Sequence, residues 1–245
     1  MNRVHILLTI RKPELYTAST LVFSTLRVGF PTAQVTVYRN RINDARPLED
    51  AGIEYREIDT IHHEWIESLL ATEEAPFWIL DTDVHFWESV EGWQFTEPMA
   101  GRLIPQFFDD YSNCIDQPRL HTALMWLDPV TLRNKVKEYR AQFPKHGFNH
   151  LANLVHPICL PIRRGRTLFF DTLSLMYHAV GGQPFTTPQL DAFEHMNFGT
   201  ISDLVLPRLK DGPEFARRRA AFLACPGAFR GTWRSQEEYY ARHRA

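Results

Sequence analysis

The stretch Phe77-Trp78-Ile79-Leu80-Asp81-Thr82-Asp83 constrains the fold more than any other part of the chain. Four large apolar residues run straight into two carboxylates one residue apart. A short uninterrupted apolar run is the pattern of a strand buried on both faces, as in the middle of a parallel sheet. Open sheets of that kind present their chemistry beyond the carboxyl ends of their strands. Two acids at that end can share a divalent cation, and the cation can hold the phosphates of a nucleotide. Alternation along an extended chain would turn Asp81 and Asp83 to the same side. A strand-end turn with an Asx-type cap is the bland alternative for the same two residues.

The flanking sequence places this strand in an alternating pattern. Val4 to Ile10 reads as a first buried strand. Pro13 suits the first turn of a helix that runs through Leu15, Leu21, Val22, Leu26 and Val28 and stops at Gly29 and Pro31. Gln34 to Tyr38 and Ile53 to Ile58 read as further strands, and Ile61 to Leu70 as a helix. The order β-α-β-(loop)-β-α-β over about the first 85 residues is that of a nucleotide-binding α/β half. Beyond it, Met99 to Gln106 and Leu120 to Leu127 predict strands. Asp128 precedes Pro129 as an N-cap, and Phe169 to Val180 predicts a helix ending at Gly181-Gly182. Lys210 to Ala245 reads as a helical, partly basic tail.

A chain of 245 residues forms one sizeable α/β domain or two small ones. The formal net charge of -2 argues against a general nucleic-acid binder. Cys114, Cys159 and Cys225 are far apart and show no C-x-x-C pairing, which fits a reducing compartment rather than a disulfide scaffold or zinc ribbon. The apolar part of the N-terminus is too short for a signal peptide, and no run approaches the ~20 apolar residues of a membrane helix. The expectation is a soluble cytoplasmic protein, with docking on a membrane surface left open.

The order of elements ending in Phe77–Asp83, followed by Val84-His85-Phe86-Trp87, resembles the GT-A fold of nucleotide-sugar glycosyltransferases. Asp81-Thr82-Asp83 stands where that family carries its D-x-D motif. Leu120 to Pro129 resembles the strand lining the sugar and acceptor site, and Phe170-Asp171-Thr172 the start of an acceptor-side helix. Phe193 to Thr200, with His195, resembles the late segment that returns a third metal ligand in several such families. The resemblance implies a GT-A-like three-layer α/β/α sandwich in a single domain, with a mostly parallel central sheet. Residues 1–207 would be the catalytic domain, 1–87 its nucleotide-binding half and 88–207 its acceptor half, followed by a helical tail over 208–245. It also implies a nucleotide-diphosphate donor, UDP-linked on family grounds, a sugar, glycan or lipid-linked acceptor, and Mn²⁺ or Mg²⁺. Asp83 would bind the metal directly, while Asp81 would contact it or the ribose.

The remaining candidates carry competing readings. An inverting transfer needs a base for the acceptor proton, and Asp171 and Asp128 are the carboxylates offered; both have helix capping as the structural alternative. Thr9 at the end of the first strand and Arg11 just after it can contact base or phosphate, against a solvated strand exit. Arg39-Asn40-Arg41 stands after the second strand, where many inverting members carry an acidic pair for the base, so Arg39 is a further nucleotide candidate. His85 competes with His195 for the metal. Arg163-Arg164-Gly165-Arg166 is a basic loop, able to clamp a diphosphate but more simply solvated. His62-His63-Glu64-Trp65 resembles a metal motif only superficially, because adjacent helical residues point roughly 100° apart. The tail interleaves Arg217-Arg218-Arg219 with Phe222, Phe229, Trp233, Tyr239 and Tyr240, compatible with anionic lipid or with packing back on the domain. Two rival functions are a haloacid-dehalogenase-like phosphatase, whose motif normally lies on the first strand, and a non-catalytic nucleotide-binding protein.

Overall fold

A computed structural model describes residues 2–8, 25–40, 45–50, 52–109, 114–143, 154–162, 165–195, 220–221, 224–231 and 233–244. Seven strands form the main sheet. They are β1 (Arg3–Leu8), β2 (Gln34–Asn40), β3 (Tyr55–Ile58), β4 (Phe77–Asp81), β6 (Met99–Ile104), β9 (Arg119–Leu127) and β12 (Gln183–Pro184), in the order β12-β6-β9-β4-β1-β2-β3. The pairs β1–β2, β2–β3 and β12–β6 are parallel and β6–β9 is antiparallel, so the fold is α/β with a mostly parallel central sheet, as expected. The helices are α1 (Arg46–Glu49), α2 (His62–Thr72), α3 (Pro129–Gln142), α4 (Ser174–Val180), α5 (Thr187–Asp191) and α6 (Trp233–Arg242).

The chain divides into two compact units, each assembled from separate stretches: Met1–Asp59, Ile79–Trp93 and Thr186–Arg234 in the first, and Thr60–Trp78, Gln94–Phe185 and Ser235–Ala245 in the second. In the first, β1 and the end of β4 are buried on both faces; Val4, His5, Ile6, Leu7, Leu8, Ile79 and Leu80 are all buried. That is why this region reads as a continuous apolar run rather than an alternation. A short antiparallel ribbon, β5 (Val84–Phe86) with β13 (Phe193–His195), completes the unit. Gly29 is the last of the helical residues 25–29 and lies against this ribbon. A Cβ there would stand 2.4 Å from Cγ of the buried Phe86 ring, so only glycine fits the approach.

In the second unit, Trp65, Ile66, Leu69 and Leu70 form the buried stripe of α2. Trp78, Phe95, Trp126 and Phe185 make a ring cluster with centroids 5.2–6.4 Å apart. A second sheet is built from β7 (Phe107–Asp109), β8 (Cys114–Asp116), β10 (Ile158–Pro161) and β11 (Thr167–Phe170). Asp128 caps α3 as expected: its Oδ1 accepts the Thr131 N–H at 3.1 Å and its Oδ2 the Thr131 hydroxyl at 2.7 Å.

One element differs from expectation. The helix predicted over Phe169–Val180 begins only at Ser174, and Thr167–Phe170 is instead a strand paired with both β10 and β8. The Leu-Phe-Phe run favours a pleated surface when two partner strands are available, which overrides the helical spacing of its apolar residues. Leu173 at φ 64° separates strand from helix. Of the tail, Tyr239 and Tyr240 of α6 pack within the second unit. Tyr239 and Tyr240 lie 6.3 and 4.9 Å from Phe107, and the Phe108 N–H donates to the His243 carbonyl at 2.7 Å. These contacts match the packing alternative, and the membrane contact left open above is without support. Among the described residues no helix is long and apolar enough to cross a membrane.

Candidate metal centre

The candidate centre forms where β4 ends. Asp81 is the last residue of β4, Thr82 and Asp83 form a turn, and β5 follows at once. The two acids therefore converge by a turn, not by the alternation expected of an extended chain. Pairing of β5 with β13 sets His195 opposite Val84, one residue beyond Asp83. One ligand atom each from Asp81, Asp83 and His195 lies within 4.8 Å of the others. Nε2 of His195 is 3.2 Å from Oδ1 of Asp83. That separation is an ordinary hydrogen bond without an ion. It is also the edge expected between two ligands of one octahedral cation, about 3 Å for bonds of about 2.1 Å. Asp83 is only 6% exposed, which sets the group apart from a solvated acidic cluster. Two carboxylates and an imidazole fit Mn²⁺ or Mg²⁺, with nitrogen favouring the transition metal.

His85 is not part of this group. It faces Glu194 across the ribbon, and successive side chains on a strand point to opposite faces. His85 therefore shares its face with Glu194 and with Trp87, whose ring lies 4.2 Å away. Burial holds the His85 imidazole below its usual pKa.

The other sequence candidates lie in several places. Thr9 and Arg11 fall outside the described residues, as do Arg163, Arg164, Arg217, Arg218, Arg219 and Phe222. β1, which precedes Thr9, is the sheet neighbour of β4. Arg39, near the end of β2, is ion-paired with Glu57 and lies 5.3 Å over the Tyr55 ring. His62 and His63 do diverge: His62 lies by Trp65, whereas His63 meets the His156 ring at 4.4 Å.

Asp171 belongs to a buried polar cluster that sequence spacing did not disclose. Arg119, at the start of β9, pairs with Asp116 through one guanidinium nitrogen and with Asp171 through another, the latter at 3.1 Å. Asp171 Oδ1 also accepts the Thr172 N–H at 2.8 Å. Burial pushes the Asp116 carboxyl up to about 6, outweighing the pull of Arg119. Burial also raises the Tyr240 phenol against the opposing pull of Arg102 and Arg119. The i, i+3 spacing of Asp116 and Arg119 was the one local signal available.

No family model matches this sequence, and no curated protein matches it. Several solved structures are similar to parts of this chain at low identity. The apo structure of the bifunctional glycosyltransferase WbbM is 8% identical, covering 75% of this chain and 38% of its own, with a TM-score of 0.44. The galactosyltransferase LgtC, in complex with donor and acceptor sugar analogues, is 7% identical, covering 76% of this chain and 73% of its own, with a TM-score of 0.40. The glycosyltransferase GlyE of Streptococcus pneumoniae TIGR4 is 8% identical, covering 76% and 46%, with a TM-score of 0.38. This chain thus spans less than half the length of WbbM and of GlyE.

Proposed function

We propose that this chain is a metal-dependent glycosyltransferase, moving a sugar from a nucleotide-diphosphate donor, UDP-linked, to an acceptor hydroxyl on a sugar, glycan or lipid-linked molecule. One observation carries this: Asp81, Asp83 and His195 gather at the carboxyl end of β4, beside β1 in the sheet. That is where an open α/β sheet binds nucleotides. Mn²⁺ or Mg²⁺ held there would neutralise the charge that develops on the departing diphosphate.

The residues divide the remaining work. Asp83 and His195 hold the cation from the turn and from β13, and Asp81 completes the set or orients the ribose. Thr9, Arg11 and Arg39 are proposed contacts to the nucleotide. Of the two carboxylates offered for the acceptor proton, Asp171 is preferred. Its side chain is 31% exposed and, although it takes the Thr172 N–H and the Arg119 guanidinium, it caps no helix, whereas both Asp128 oxygens are engaged in capping α3. The first test is a panel of nucleotide sugars scored for thermal stabilisation with and without Mn²⁺. Stabilisation by one donor only in the presence of metal is expected; equal stabilisation without metal would contradict the proposal.

A further inference from the structure

The ribbon that carries His195 has only three residues in each strand. A two-stranded hairpin or ribbon is marginal by itself, so the position of His195 depends on what anchors the ribbon. One anchor comes from Thr25, whose hydroxyl accepts the Phe86 N–H at 3.2 Å. The others come from the segment between Arg230 and Arg234, far along the chain. On the β5 side, Arg230 is ion-paired with Glu88, two residues beyond the strand. On the β13 side, Asp191 lies two residues before the strand and receives two donors. Its Oδ1 accepts the Trp233 indole N–H at 2.9 Å, and its Oδ2 the Arg234 guanidinium at 2.7 Å.

The two sides are tied to each other. The Trp87 and Glu88 N–H groups both donate to the Ala192 carbonyl, at 2.9 and 3.1 Å. The Arg234 guanidinium lies 4.5 Å over the Trp233 ring, which pre-orients both donors toward one carboxylate. Gly231 at φ +81° supplies the left-handed turn that lets Arg230 face one strand and Trp233 the other. The two donors hold the Asp191 carboxyl below the usual carboxylate range, so it stays an acceptor at neutral pH. A single exposed ion pair adds little to stability. Three grips that share one short segment and end on both strands of one ribbon are a different device.

We propose that Arg230, Trp233 and Arg234 form a clasp on Glu88 and Asp191 that positions His195 against Asp83. These are positioning residues, because they act on Glu88 and Asp191 rather than on the three proposed ligands. The proposal rests on the reading of Asp81, Asp83 and His195 as ligands of one ion.

The test uses the full chain and Mn²⁺ alone, following free Mn²⁺ by electron paramagnetic resonance. Asp191→Ala and Arg230→Glu should each weaken Mn²⁺ binding by about 10-fold, the scale of losing support behind a metal ligand. The charge-swapped pair Arg230→Glu with Glu88→Arg should restore it. A merely structural contact would lower the melting temperature without moving Mn²⁺ affinity. If Asp191→Ala fails to fold, Trp233→Phe removes the indole donor, keeps the ring and gives the same readout. Unchanged Mn²⁺ affinity in the folded variants, or no recovery in the swapped pair, would overturn the clasp. Absence of Mn²⁺ binding by the wild-type chain would instead remove the metal reading beneath it.

Discussion

Nε2 of His195 stands 3.2 Å from Oδ1 of Asp83, although the two residues come from opposite halves of the chain. The β5–β13 pairing creates this approach, since it sets His195 opposite Val84. His195→Ala should therefore lower Mn²⁺ affinity by about 10-fold or more, while His85→Ala, on the other face of the ribbon, should not do so directly. Calorimetric Mn²⁺ titration of the two variants decides between them. A larger loss from His85→Ala would reassign the ligand.

The close approach of Gly29 to Phe86 gives a prediction about stability. Gly29→Ala would force a Cβ into the buried ring at 2.4 Å. Overpacking of this kind costs about 1–3 kcal/mol. Chemical denaturation should show the loss, and a second substitution, Phe86→Leu, should recover part of it. A neutral Gly29→Ala would mean that the helical residues before it shift freely.

Much of this arrangement was legible in the sequence, and the limits have physical causes. Phe77–Leu80 announced a buried strand because both of its faces are covered, and Asp81 and Asp83 followed at its exit. Asp128 announced a cap because capping is local chemistry. The ribbon of β5 and β13 was not legible, because three residues are too few to set a period. Convergence of Asp81 with Asp83 was expected for the wrong reason: a turn brings them together, not strand alternation. Phe169-Phe170 suggested a helix because the strands that claim it, β8 and β10, are remote in sequence. The Asp116–Arg119–Asp171 cluster stayed hidden for the same reason.

That cluster predicts a pH dependence. Burial puts the Asp116 carboxyl at about 6 when folded, against an ordinary value of 3.8 when unfolded. The folded chain thus binds more protons between those values. The contribution to stability is fully present below the unfolded value and is lost as pH rises through about 6. Asp116→Asn should remove this slope, so its stability relative to wild type should rise by on the order of 2 kcal/mol between pH 4.5 and 7.5. Urea unfolding at the two pH values measures it. Parallel slopes for the two proteins would show that Arg119 keeps Asp116 ionised throughout.

The acceptor base gives a kinetic prediction. Asp171→Asn keeps the shape of the side chain and removes the charge that Arg119 pairs with at 3.1 Å. If Asp171 takes the acceptor proton, turnover should fall by about 100-fold or more with little change in donor affinity. Asp128→Asn keeps an acceptor for the Thr131 N–H and should leave turnover near wild type. Loss of turnover in Asp128→Asn alone would exchange the two roles.

The most direct measurement is UDP binding by calorimetry, for wild type and Asp83→Ala, with Mn²⁺ and with a chelator. The wild-type chain should bind UDP with Mn²⁺ and lose most of that affinity in the chelator. Asp83→Ala should show only the weak binding in both conditions while melting as a folded protein. UDP bound equally well by both proteins, with or without Mn²⁺, would contradict a metal centre at Asp81, Asp83 and His195 and the transferase function proposed from it.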